Sequence, residues 1–222
     1  MYNLIRKDFL VQRNIFLFGF LYTVFAAFFF KEMVPGGGAI YMVAPYATVY
    51  LLVMYACGFD DKNKAEIILN SLPITRAELV IAKYVSAIGF MAVAILFSML
   101  IGAIGIFTGF PEIERFISLD DVLIVLISGL FLVSVFYPLY FKFGMEKMRF
   151  VNMALFMVLF FAPNLITSFA AENPESKVVK VVLSILNETN ASLLKAGSLI
   201  AVIIIYLLSL FISIKIYRNK EL

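Results

Sequence analysis

Six long runs of apolar residues leave this chain little choice of solvent. They lie at 15–30, 39–59, 79–108, 122–141, 150–170 and 196–217. Most are close to the ~20 residues that a helix needs to cross a hydrocarbon core, the third being long enough to begin before the membrane, and none carries a charge near its middle. The runs are continuously apolar rather than alternating, which argues for helices and against the strands of a barrel. A chain that is 63% hydrophobic and 15% charged could not cover its own surface in water, since soluble domains hold about 25% charged residues. The sequence therefore predicts one all-α, polytopic membrane domain over 1–222, with six transmembrane helices.

Charge placement predicts the orientation of those spans. The start of the chain carries Arg6, Lys7 and Arg13, and the second connection carries Lys62, Lys64, Arg76 and Lys83. The fourth connection carries Lys142, Lys147 and Arg149, and the tail carries Lys215, Arg218 and Lys220. The intervening connections hold fewer bases: Lys31, Arg115, Lys177, Lys180 and Lys195. By the positive-inside rule both termini and the second and fourth connections are cytoplasmic. The first run follows a basic start, as a secretory signal does. No small-x-small cleavage site follows it, so it reads as an uncleaved span.

The composition also bounds the chemistry. The chain has no histidine and one cysteine, Cys57. It can form neither an internal disulfide nor a Cys/His metal cluster, and it lacks the usual general base near neutral pH. No glycine is followed by lysine, so a Gly-Lys-Ser/Thr phosphate loop is absent and the chain should not hydrolyse ATP by itself. No ionisable residue sits centrally in a span, which argues against an ion-coupled transporter.

Three segments are not simple spans. Over 1–14, Tyr2, Ile5, Phe9 and Phe16 recur at helical spacing. This is either an interfacial helix or a basic anchor for the first span. Over 60–73, Ala65, Ile68, Leu69 and Leu72 make one apolar face and Asn63, Glu66 and Asn70 another. A short amphipathic helix follows, ended by Pro73. Thr75 to Glu78 has capping-box spacing and starts the next helix. That short helix is either a docking element for a soluble partner or a passive connection in the headgroups. Over 172–190, Asn173 and Pro174 can begin an outer helix too short to span, either a lid or simple packing.

Within the spans, Tyr46 and Tyr50 share a face of the second helix. They line a path for an amphipathic substrate or pack between helices; both readings stay open. Pro45, Pro138 and Pro163 can kink their helices. Gly105 and Gly109 either allow close helix contact or mark a helix end.

At the second connection the sequence resembles the ABC-2 type transporter permeases. It is most similar to their small six-helix bacterial group, which includes membrane subunits of phenol-soluble-modulin and bacteriocin exporters. The matching residues are Asp61-Lys-Asn-Lys-Ala-Glu66, then Asn70-Ser-Leu-Pro-Ile-Thr-Arg76 and Ala82-Lys83-Tyr84, with Asn3-Leu-Ile-Arg-Lys-Asp8 at the start. The resemblance implies that 60–73 holds a coupling helix docking into a separate ATP-binding-cassette ATPase subunit. Asp60, Asp61, Lys62, Lys64, Glu66, Asn70 and Arg76 would form the docking surface. It further implies that 1–14 is an interfacial connecting helix and 172–190 an extracellular one. A second permease subunit, identical or related, would complete the transporter in a bacterial cytoplasmic membrane. ATP and magnesium would be held by the ATPase, with no cofactor bound by this chain. The expected function is export of amphipathic peptides, antibiotics or lipid-like compounds. The rival expectations are a non-transporting sensor, immunity or assembly subunit, and a secondary transporter or channel.

Overall fold

A computed structural model of the chain describes residues 1–29, 39–71, 73–109, 113, 115–148 and 191–220, with isolated positions between 150 and 176. Its regular elements are α-helices: α1 (Tyr2–Val11), α2 (Arg13–Phe29), α3 (Ala39–Lys62), α4 (Ala65–Asn70), α5 (Arg76–Thr108), α6 (Leu119–Lys147) and α7 (Ala191–Arg218). Among the described residues four stretches are long and apolar enough to cross a membrane: Ile40–Lys62, Arg76–Thr108, Leu119–Lys147 and Leu193–Arg218. A fifth arises if α1 and the start of α2, bent by 59° at their junction, count together. The chain is thus a multi-pass helical membrane protein. The expected span at 150–170, with Pro163, and the outer helix at 172–190 fall outside the described residues, apart from isolated positions.

Local chemistry explains where the helices begin and end. Thr75 and Glu78 form a reciprocal capping box at the start of α5, and Ser118 and Asp121 form another at the start of α6. Each box satisfies two of the orphan N–H groups of a first turn. Gly109 closes α5 in the left-handed conformation, its N–H donating to the Gly105 carbonyl. Of the two readings of that glycine pair, the helix end is the one the structure adopts. The break in α6 falls at Gly144, with φ 71° and ψ 168°, rather than at Pro138.

α5 is the axis of the bundle, packed against α1, α2, α3, α6 and α7. The core is built from Leu52 and Val53 of α3, Phe90 and Met91 of α5, Leu132 and Phe136 of α6, and Tyr206 of α7. In lipid such packing gains little from the hydrophobic effect, because tails are as apolar as leucine; close contact and hydrogen bonds must hold the helices together. The Tyr84 hydroxyl does this between α5 and α7, at 2.7 Å from Ser209 Oγ and 2.8 Å from Ser213 Oγ. Tyr206 donates to the Tyr84 carbonyl, and Ser209 to that of Ser134 on α6.

Among the described helices α2 and α5 run one way and α3, α6 and α7 the other, as the residues that meet at each end show. At one end the starts of α3 and α6 meet: Tyr41 donates to the Arg115 carbonyl, and Arg115 makes a two-pronged contact with Asp121 at 2.6 and 2.9 Å. That hydrogen-bonded carboxylate holds the Arg115 guanidinium above its ordinary range. At the other end α1, the end of α3, the start of α5 and the ends of α6 and α7 come together, and with them the chain's more basic segments.

Candidate functional site

The basic end of the bundle is organised around a buried set of charges. α3 runs on to Lys62 instead of ending before Asp60, so Asp60 belongs to its last turns. Asp60 is only 8% exposed. Lys7 of α1 donates to both of its carboxylate oxygens, at 2.8 and 3.0 Å. Lys83 of α5 lies 2.5 Å from Asp60 and 2.9 Å from Asp8 of α1. Asp8 and Lys7 are 3.3 Å apart. Two acids and two bases from three helices thus neutralise one another where water is scarce. Buried charges persist only with such compensation, since each loses its hydration on burial.

Asp61 turns the other way. Its carboxylate accepts the Met145 N–H at 2.6 Å and the Tyr140 hydroxyl at 3.3 Å. The break at Gly144 allows this contact, because its non-helical backbone aims the next N–H away from the helix axis and toward α3.

The chain then turns sharply. Asn63 donates to the Phe59 carbonyl at 2.7 Å and closes α3, and Lys64 takes the left-handed conformation with φ 48°. The expected amphipathic helix over 60–73 is therefore divided: its first residues extend the span, and α4 holds only Ala65–Asn70. Its faces also differ from the periodicity. Leu69 packs against the core, but Ile68, expected on the apolar stripe, is 63% exposed. A helix of six residues, pinned at both ends, is oriented by its attachments more than by its own pattern. Glu66 is half-buried and accepts Lys220 on both oxygens at 2.8 Å. Lys62 and Lys64 are exposed. Leu72 and the Asn70 side chain lie outside the described residues. Arg76 points to the chain's tail, donating to the carbonyls of Tyr217, Arg218 and Lys220 at 3.3, 3.0 and 2.8 Å.

A cavity of about 50 Å³ lies between the charge cluster and α4, lined in part by Asp60, Asp61, Glu66, Lys83, Tyr140 and Lys220. Space of that order suits a water molecule or two, not an organic substrate. Tyr46 and Tyr50 lie elsewhere, both packed against the main core. A larger groove, about 680 Å³, opens between α2 and α3, where Leu51, Met54 and Tyr55 face Phe18 and Tyr22. Among the described residues no group of acids and cysteines is placed to hold a metal ion.

Of the residues singled out from the sequence, the structure brings Asp60, Asp61, Glu66 and Arg76 to one end and gives each an intramolecular partner. The side chains among those partners, Lys7, Lys83, Tyr140 and Lys220, and Asp8, which pairs with both Lys7 and Lys83, were not singled out as site residues. One signal for them was present. Asp8 is the lone acid in a basic amphipathic helix, one turn after Leu4, and acids rarely occupy an inward face unless paired.

A family model described as ABC-2 family transporter protein matches residues 3–218. No curated protein and no solved structure matches the chain.

Proposed function

The chain belongs to the ABC-2 family of transporter proteins, and on that premise we propose that it is the membrane half of an ATP-driven exporter, moved by a separate ATP-binding subunit. The observation that carries this reading is the placement of α4. It is a short helix with an exposed apolar side chain, Ile68, flanked by the exposed Lys62 and Lys64. It stands beside a charge cluster that joins α1, α3 and α5. A push on α4 would pass into three helices at once.

In this mechanism the partner holds ATP and magnesium and performs the hydrolysis. Closure of its subunits on ATP displaces α4 and tilts the spans, so ATP shifts the equilibrium because only one state allows that closure. Ile68, Lys62 and Lys64 form the outer docking surface. Asp60 sits too deep to touch a partner and anchors the surface instead. The gathering of basic segments at one end supports a cytoplasmic position for that end and for both termini, in a bacterial cytoplasmic membrane. A second permease subunit completes the path. Its cargo is an amphipathic peptide, antibiotic or lipid-like compound, in keeping with an apolar, aromatic-rich interior.

The test is co-purification from host membranes in mild detergent, comparing the native chain with one scrambled over 61–71. An ATPase subunit recovered with the native chain alone is the expected result. Absence of any ATPase from both, with each chain folded, overturns the reading in favour of a non-transporting sensor or immunity subunit.

A further inference from the structure

The tail that follows the last span makes contacts that the docking reading does not use. We propose that Arg76 and Lys220 clasp the end of α7 to α4 and to the start of α5, so that displacement of α4 is passed directly to the last span. This rests on α4 being the point where a partner's motion enters.

Each half of the clasp has a physical reason. The last carbonyls of a helix have no partner within it and carry the negative end of its dipole. At the end of α7 three carbonyls, those of Tyr217, Arg218 and Lys220, converge on one guanidinium nitrogen of Arg76. Arg76 is the first residue of α5, and the Thr75–Glu78 capping box holds that turn in place. A guanidinium suits this task because its donors are fixed in one plane. The second half is the contact of Lys220 with both oxygens of Glu66, the only carboxylate of α4. Tyr217 completes the anchorage: it is buried, its ring 5.3 Å from that of Phe141 on α6. A few residues of tail therefore touch α4, α5 and α6.

The clasp changes the meaning of Glu66. A glutamate on a coupling helix invites assignment to the partner, but here its carboxylate is occupied from within the chain. Its charge would matter through Lys220, and a charge swap would preserve what either single reversal destroys.

Hydrogen exchange on the purified full chain reads the clasp without a partner or a cargo. In Lys220→Glu, and separately in Glu66→Lys, amides of 65–70 should exchange about threefold to fivefold faster, the scale of a half-exposed ion pair. The double variant Glu66→Lys/Lys220→Glu should return toward the native rate. Arg76→Gln should speed exchange in the last turn of α7, and Arg76→Lys should rescue it only in part. With the ATPase present, Lys220→Glu should keep the partner bound and hydrolysing while less cargo moves per ATP, and the swap should recover it. Unchanged exchange over 65–70 in both single reversals overturns the clasp. So does a double variant no better than the singles, or one that folds normally but loses the ATPase, since Glu66 would then touch the partner. Failure of the docking reading shows separately, as an ATPase that never co-purifies with the native chain.

Discussion

Asp60 has to answer two cations at once, so its loss should be felt by both. Lys7 and Lys83 both reach it, and Asp8 balances only part of the remaining charge. Asp60→Ala should leave Lys83 under-compensated and cost about 3–5 kcal/mol, because removing one member of a buried ion set strands the other. Replacing both Asp60 and Lys83 with leucine and methionine should cost clearly less, since the pair's desolvation is removed with it. Unfolding in detergent with a graded denaturant measures both; equal losses would show that shape, not charge, dominates there. Gly144 is constrained by its backbone, since φ 71° with ψ 168° is a conformation nearly confined to glycine, and a Cβ there would also meet Asp61 Oδ2 at 3.3 Å.

Helix contacts are decided at positions where one side is stripped to a hydrogen atom. The Phe9 ring of α1 rests on Gly89 of α5, and a Cβ at Gly89 would meet Phe9 Cζ at 2.5 Å. Gly89→Leu should therefore lift α1 from the bundle while leaving α5 a helix. A spin label or fluorophore on α1 should become more mobile, and protease cleavage near Gln12 should quicken. An unchanged label would mean that the charge cluster alone holds α1. Gln12 adds to the same hinge: it is fully buried, and its amide donates to the Leu52 carbonyl at 2.9 Å, pinning the 59° bend between α1 and α2.

At the scale of the molecule, the packing of the long helices puts Lys64 and Asn219 at one end and Lys195 at the other, where Lys195 pairs with Asp120. Single cysteines at these positions, in a Cys57→Ala background, should report that geometry to a membrane-impermeant thiol reagent. Lys64→Cys and Asn219→Cys should react from the cytoplasmic face and Lys195→Cys only from the opposite one. Reaction of Lys64→Cys and Lys195→Cys from the same face would break the topology. The native Cys57 is fully buried in the core, so removing it costs packing but no exposed chemistry.

Hydrophobic runs, the Thr75–Glu78 capping box and the grouping of bases in alternate connections were legible in the sequence because each is local or periodic: a helix needs only its own residues to close its hydrogen bonds. The Thr75–Glu78 box and the membrane-spanning character of 79–108 follow from neighbours a few positions apart. The site was only half legible. Asp60, Glu66 and Arg76 could be singled out as polar residues between spans, but their direction could not. Asp60 turns inward because Lys7 and Lys83, each remote in sequence, stand there to neutralise it. Arg76 turns to the tail because the carbonyls of α7 end beside it. Ile68 is exposed because α4 is too short for its own pattern to orient it. The amino-acid sequence by itself determined the solvent and the long apolar helices among the described residues, both set by transfer from water and by local hydrogen bonding. Only the tertiary structure decided which charges meet, because pairing in a low-dielectric interior depends on which helices are brought side by side.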